Sequence, residues 1–90
     1  MKYTFDDYMK SEFWRKYYDD APSQQLKDYI RAEFERSGSF DPKEKAELNK
    51  ISCDKESKLT RADYDYLIKR EPSKQMKAVY RERQAKLPKK

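Results

Sequence analysis

Apolar side chains recur along this 90-residue chain three and four residues apart, as they do on one face of an α-helix. With the capping residues, this pattern predicts four main helices, over about 5–19, 22–37, 61–70 and 72–86. A short connector helix is expected after Asp41, followed by a polar loop at 53–58. The chain is therefore predicted to be all-α, a small bundle of four main helices plus a short connector helix.

Several helix ends are marked by residues with a known preference for those positions. Thr4 is followed three residues later by Asp7, and Thr60 by Asp63, which is the spacing of a capping box. Gly38 follows the second apolar stripe, where a glycine commonly takes the left-handed conformation that ends a helix. We therefore expect helices to start after the two threonines and one to end at Gly38.

Two segments fifty residues apart resemble each other. Residues 22–31 and 72–81 are identical at five of ten positions, and Pro22 and Pro72 each suit a first helical position. The same offset aligns the apolar triplet Trp14, Tyr17 and Tyr18 with the triplet Tyr64, Leu67 and Ile68. The likeness indicates two similar helical hairpins, although Pro-Ser begins many helices and apolar spacing of this kind is common.

The repeat also aligns two charged residues that lie within apolar stripes. Glu33 and Arg83 occupy equivalent positions, each inside the apolar face of its helix. The two could pair across a pseudo-two-fold axis. We favour the alternative, in which each long side chain extends its charged end into water.

Length and composition favour one small helical domain over 1–87, with a frayed basic tail at 88–90. A chain of this size buries only about 60–65% of the surface that its unfolded form exposes, so its core is thin. One Gly and one Asn are too few for the turns of an all-β fold. Aromatic residues make up 14% of the chain, which argues against disorder.

Residue types that carry most enzyme chemistry are missing. The chain has no His and only one Cys, which removes the commonest general base, the commonest metal ligand and any zinc site. A single Gly excludes a glycine-rich phosphate loop, and a calcium loop fails because Lys58 and Leu59 stand where a ligand and a glycine are required. We expect a non-enzymatic protein with no metal and no cofactor.

Cysteine usage and hydropathy bear on location. Cys53 is alone, so no internal disulfide can form, and a reducing compartment is expected. Apolar runs are no longer than three residues, far short of a signal peptide or a membrane span, so no membrane association and a cytoplasmic location are predicted. The Lys- and Tyr-rich composition resembles that of small accessory proteins of low-GC bacteria and their mobile elements.

Positive charge is concentrated at the C-terminal end. Residues 1–68 hold 13 basic and 15 acidic side chains, whereas residues 69–90 hold 9 basic and 2 acidic ones. A cationic helix suits a phosphate backbone, and the candidate nucleic-acid contacts are Arg70, Lys74, Lys77, Arg81 and Lys86. The last two helices resemble a helix-turn-helix in layout, although their turn lacks Gly. Alternatively, the basic end only keeps the chain in solution.

The first helix carries surplus aromatic residues that the repeat does not explain. On a continuous helix, Phe5, Met9 and Phe13 would share one face, separate from the Trp14 triplet. They could complete the core, which we favour because a thin core needs its aromatic residues. Alternatively, they could form a protein interface, where aromatics and Met are enriched. We therefore expect an interaction or adaptor protein with an unidentified protein partner, and a small nucleic-acid-binding protein is the alternative.

Overall fold

The structure, a computed structural model, describes residues 3–87 and is all-α within that range, as predicted. Its six helices are α1 (Phe5–Met9), α2 (Glu12–Asp19), α3 (Gln24–Gly38), α4 (Pro42–Glu56), α5 (Arg61–Arg70) and α6 (Lys74–Ala85). They belong to two compact units, unit 1 (Met1–Lys58) and unit 2 (Leu59–Lys90), which are described separately. A single domain over 1–87 stays a prediction, and the tail at 88–90 lies outside the described residues.

The first predicted helix is interrupted. It was expected to run from 5 to 19, but α1 ends at Met9 and α2 begins at Glu12. Ser11 has an extended backbone and is the N-cap of α2, a position that serine favours over a helix interior. The capping box of α1 is present as predicted, since the Thr4 hydroxyl accepts from Asp7 N and the Asp7 carboxylate accepts from Thr4 N.

Helices α3 and α6 both begin two residues later than predicted. The prolines were expected at the first helical position, but the following serine is the N-cap in each case. Ser23 Oγ accepts from Leu26 N at 3.2 Å, and Ser73 Oγ accepts from Met76 N at 3.3 Å. A serine hydroxyl satisfies an amide that the first turn leaves unpaired, which explains why each helix starts after the serine and not at the proline.

Gly38 ends α3, but not in the predicted left-handed conformation. It is the last helical residue, and among the described residues no glycine has a positive φ. Tyr3 N donates to Gly38 O at 2.9 Å, and a Cβ on Gly38 would lie 2.1 Å from the carbonyl oxygen of Tyr3. The glycine is therefore required by the close approach of a neighbouring backbone segment.

Helix α4 is as long as α3, which corrects the prediction of a short connector and a polar loop at 53–58. Its start is as predicted, because Asp41 Oδ1 accepts from Lys43 N at 3.0 Å. Its C-terminal half contains no Pro or Gly, and residues such as Lys55 and Glu56 favour a helix without an apolar face. Periodicity failed to extend it because α4 buries only one residue, Ser52.

In unit 1, α3 supplies most of the core and packs most extensively against α4 and less against α1 and α2. Its buried side chains include Leu26, Tyr29, Ile30 and Phe34. Glu33 does not extend into water: its side chain is 18% exposed, and its carboxylate accepts from Arg36 and from Ser52 Oγ, the latter at 2.8 Å. The expectation that Glu33 extends its charged end into water is therefore wrong, and the alternative, a pairing with Arg83, stays a hypothesis.

In unit 2, α5 and α6 pack against each other as a hairpin. The capping box of α5 is present as predicted at Thr60 and Asp63. Tyr64 and Tyr80 are buried, with ring centroids 6.3 Å apart. Arg61 Nη1 donates to the Gln84 carbonyl at 2.9 Å, and Gln84 Nε2 donates back to the Arg61 carbonyl at 2.9 Å, so hydrogen bonds join the start of α5 to the end of α6.

Candidate interaction surfaces

Unit 1 contains a cluster of aromatic rings contributed by α1, α2 and α3. The members are Phe5, Tyr8, Phe13, Trp14, Tyr17, Tyr18 and Phe34. Phe34 is buried and lies at the centre of the cluster, with the Tyr8 ring stacked on it at 4.5 Å and the Trp14 ring edge-on at 5.5 Å. Offset and edge-to-face rings at these distances stabilise a small core beyond the area that they bury.

The three predicted interface residues are divided between the cluster and the surface. Phe5 is half-buried against Tyr18, with ring centroids 5.0 Å apart, and the Arg31 guanidinium lies 4.6 Å from its centroid. Met9 is half-buried at the end of α1, whereas Phe13 on α2 is 47% exposed. The break between α1 and α2 means that the three do not share one helical face. Partner binding by any of them stays a prediction.

A pocket of about 280 Å³ opens beside the cluster. It is lined by Tyr3, Asp7, Tyr8, Ser11 and Trp14, and we call it the aromatic pocket. Sequence reasoning missed it. Ser11 reaches it because the first helix is interrupted, and Tyr3 because its backbone lies against Gly38. Apolar periodicity could reveal neither contact. The capping box did indicate that hydrogen bonds to Thr4 fix the side chain of Asp7.

Two titratable groups in the aromatic pocket are perturbed in opposite directions. Hydrogen bonds from Thr4 N and Thr4 Oγ1 to Asp7 Oδ2, at 2.8 and 3.1 Å, lower the pKa of Asp7, with a smaller contribution from Lys10. Burial raises the pKa of Tyr8. At neutral pH the pocket therefore presents a charged carboxylate beside neutral aromatic rings.

In unit 2, three of the five predicted nucleic-acid contacts lie on one side of α6. Lys74, Lys77 and Arg81 are spaced i, i+3, i+7, Lys74 and Arg81 are exposed, and Lys77 is half-buried. Within the described part of the chain, none of the three forms a salt bridge. Their charges are therefore available to an anionic ligand.

The other two predicted contacts are engaged within unit 2. The Arg70 guanidinium at the end of α5 lies 5.5 Å from the Tyr66 ring centroid. Lys86 caps α6, and its ammonium lies 3.8 Å from Glu82 Oε1 in an exposed pair that contributes little. The predicted basic patch is thus centred on the three residues of α6.

No group of three or more His, Cys, Asp or Glu side chains in the part of the chain that the structure describes could hold a metal ion. No described helix is long and apolar enough to cross a membrane. Cys53, on α4, is an exposed free thiol.

Comparison with known proteins places the chain in no family. No protein-family model matches it, and searches of curated proteins and of solved structures found no significant match.

Proposed function

We propose that the chain is a non-enzymatic interaction protein that binds a protein partner through the exposed apolar side chains of unit 1. Phe13 is the residue most central to this role. It extends the aromatic cluster to the surface, since its ring lies 4.8 Å from Trp14 and 6.2 Å from Tyr17. An aromatic ring fixed in this way loses little conformational entropy when a partner covers it.

One observation supports unit 1 over unit 2 for this role. Among the described residues, all the large apolar side chains that remain exposed belong to unit 1: Tyr3, Phe13, Phe40 and Ile51, at 47–64% exposure. A thin core would gain from burying them, so leaving them outside has a cost in stability. Partner binding explains why that cost is tolerated.

Site-specific crosslinking tests the proposal. A photoreactive benzoylphenylalanine replaces Phe13 in one variant and Gln75, which is exposed on α6, in the control. We expect the photoreactive residue at position 13 to form a crosslink to a partner protein, and the same residue at position 75 to form none. Binding of the purified partner should then weaken about tenfold on Phe13→Ala, as for an interface aromatic of moderate importance.

Two results would contradict the proposal. Equal crosslinking from both positions would indicate non-specific contact. Unchanged partner affinity in Phe13→Ala, with the helical circular dichroism spectrum retained, would place the interface elsewhere. Sedimentation of the purified chain shows whether the partner is a second copy of the chain itself.

A second candidate function is nucleic-acid binding by α6. It is supported by the row of cations Lys74, Lys77 and Arg81, which carry no salt bridge within the described residues. Unit 2 holds 10 basic and 4 acidic side chains, whereas unit 1 holds 12 and 13, so the positive charge lies on the same unit. Such a surface suits backbone phosphates without sequence preference.

Fluorescence anisotropy of labelled random duplex and single-stranded DNA at two salt concentrations tests this second function. Each of Lys74→Gln, Lys77→Gln and Arg81→Gln should weaken binding and reduce the salt slope by about one if its side chain meets a phosphate. Lys50→Gln on α4 of unit 1, also exposed, is the matched control. Absence of binding at low salt, or equal losses in the control, would remove this candidate.

A further inference from the structure

The aromatic pocket has a composition that distinguishes it from the other exposed apolar groups of unit 1. Three of its five lining residues are aromatic, Tyr3, Tyr8 and Trp14, and a fourth is the carboxylate of Asp7. Its volume of about 280 Å³ lies at the lower end of small-molecule sites, so it suits a head group or one side chain. Aromatic rings and a carboxylate around one small cavity form an environment that favours a positive charge.

From this arrangement we infer that the aromatic pocket binds an alkylated ammonium group, the chemistry shared by choline-like compounds and methylated lysine side chains. The inference goes beyond the proposed function, because it concerns a small concave site and not the exposed ring of Phe13. Tyr3, Tyr8 and Trp14 would contact the methyl groups of the cation. Asp7 would supply the opposing charge.

The rings of unit 1 already accept cations where basic side chains can reach them. The Arg31 guanidinium lies 4.6 Å from the Phe5 centroid, and Lys27 Nζ lies 5.9 Å from that of Tyr18. Within the described part of the chain, no Lys or Arg lies over the rings that line the aromatic pocket. A ligand cation in the pocket would therefore displace no Lys or Arg side chain of the described residues from these rings.

One of the two oxygens of the Asp7 carboxylate is placed to meet that cation. Asp7 Oδ2 accepts from Thr4, and Asp7 Oδ1 faces the exposed ammonium of Lys10 at 3.6 Å. The Thr4 hydrogen bonds fix the carboxylate and favour its charged form. Lys10 is 81% exposed, so its pairing is weak and a ligand can displace it.

The groups that line the pocket favour an alkylated ammonium over a primary one. A primary ammonium is strongly hydrated and needs three hydrogen-bond acceptors. Three of the five lining residues contribute an aromatic ring, and the acceptor groups beside the rings are the Asp7 carboxylate, the Ser11 hydroxyl and the hydroxyls of Tyr3 and Tyr8. Methyl groups replace those hydrogen bonds with ring contacts and lower the cost of leaving water.

Trp14, the only tryptophan of the chain and a wall of the pocket, reports binding directly. Its fluorescence is followed on titration with choline and with 3,3-dimethylbutanol, the neutral compound of the same shape, at constant ionic strength. We expect saturable binding of choline and affinity about tenfold weaker for the neutral compound. Chemical-shift changes confined to the five lining residues would place the ligand.

Three variants connect the binding to the pocket. Asp7→Asn keeps the side-chain shape and should weaken choline binding about tenfold while leaving 3,3-dimethylbutanol unaffected. Tyr3→Ala, at a side chain 56% exposed, should weaken choline binding without disturbing the packed rings. Lys10→Gln removes the internal competitor and should strengthen choline binding a few-fold. Tyr66→Ala in unit 2 is the control and should change nothing.

Equal affinities for choline and 3,3-dimethylbutanol would overturn the proposal, as would no saturable binding of either compound. Unchanged choline affinity in Tyr3→Ala would also overturn it, even if Asp7→Asn fails to fold. A last comparison separates the sources of the cation. Stronger binding of Nα-acetyl-Nε-trimethyllysine methylamide than of choline indicates a modified protein side chain, and the reverse indicates a free quaternary amine.

Discussion

Helices α3 and α6 begin alike and are packed differently. Both follow a Pro-Ser pair, and in both the serine hydroxyl caps the amide three residues on, at 3.2 and 3.3 Å. Yet α3 buries six of its residues, whereas α6 buries only Tyr80. Similar sequences thus give the same helix start, and the neighbouring helices decide how much of each stripe leaves water.

The packing partners explain the difference. Helix α3 has α4 along one side and the aromatic rings of α1 and α2 near another, so most of its circumference is covered. In unit 2, α6 packs against α5, and its other faces carry Lys74, Lys77 and Arg81. Unit 1 is therefore the better-packed part of the chain, and unit 2 is the part with an excess of positive charge, with 10 basic and 4 acidic side chains. The two candidate functions fall on different units for this reason.

The largest effect is expected when Leu26→Ala is compared with Met76→Ala, a substitution at the aligned position. Leu26 is fully buried in unit 1, and Met76 is half-buried in unit 2. We expect Leu26→Ala to lower the free energy of unfolding by about 3 kcal/mol and Met76→Ala by about 1 kcal/mol. Urea unfolding followed by Trp14 fluorescence and by circular dichroism measures both. Equal losses would mean that the two helices are buried to the same extent.

Gly38→Ala tests the contact that completes unit 1 at its N-terminal end. A methyl group there would lie 2.1 Å from the Tyr3 carbonyl oxygen, so the Tyr3 segment must move and the hydrogen bond from Tyr3 N to Gly38 O is lost. The clash outweighs the better helix propensity of alanine, and we expect a net loss of about 1–2 kcal/mol. The same variant should also lower the affinity of the aromatic pocket for its ligand, because Tyr3 lines the pocket.

The control for Gly38→Ala is Ser37→Ala, one residue earlier and exposed. It should change the unfolding free energy by less than about 0.5 kcal/mol. If Gly38→Ala were as stable as the control, the glycine would have no steric role at this position. A left-handed conformation of residue 38 would be excluded as well, because alanine is also disfavoured there.

Features that depend on residues close in sequence were predictable. The all-α fold, the caps at Thr4, Asp41 and Thr60, and the hairpin of α5 and α6 all follow from apolar spacing and terminal residues. The length of α4 was not predictable from its pattern, because a helix that buries only Ser52 has no apolar face to detect. Periodicity reports the burial of apolar side chains, so it cannot mark the end of a helix that buries almost none.

The candidate site was predictable only in part, for a similar reason. The surplus aromatics of the first segment were recognised, but the interruption at Ser11 and the approach of Tyr3 to Gly38 were not. Both depend on chain segments that meet in space, which helical spacing cannot encode. By contrast, Lys74, Lys77 and Arg81 were identified from the sequence. Helical spacing alone places them on one side of α6, and no contact with a distant segment has to be known.

A smaller effect tests the likeness of the two units. Ser23→Ala and Ser73→Ala each remove an equivalent cap bond, so each should cost about 1 kcal/mol, and the two losses should agree within about 0.5 kcal/mol. Thermal unfolding of both variants measures the losses. Ser23→Asp and Ser73→Asp retain an acceptor and should restore most of the stability. A cost at only one of the two serines would show that the shared sequence does not give a shared helix start.

The smallest expected effect concerns the two capping boxes, which have the same composition in different surroundings. Asp63 is 2% exposed in unit 2, whereas the Asp7 side chain is 36% exposed in unit 1. The pKa of Asp7 is held below its ordinary value of about 3.9, first by the hydrogen bond from Thr4 N and then by that from Thr4 Oγ1. Its contribution to stability is therefore complete above that value and is lost as the pH falls through the lowered pKa.

Carboxyl carbon chemical shifts, followed from neutral to acid pH, measure the titration of Asp7. Thr4→Ala removes the hydroxyl but keeps the backbone donor, so the pKa of Asp7 should rise only part of the way to its ordinary value. Lys10→Gln should raise it as well, since the Lys10 charge also lowers it. Thr60→Ala, the equivalent change in unit 2, should leave Asp7 unaffected. An Asp7 pKa that does not move in Thr4→Ala would mean that the hydroxyl contributes nothing, and that the backbone amide of Thr4 and the charge of Lys10 account for the lowered pKa.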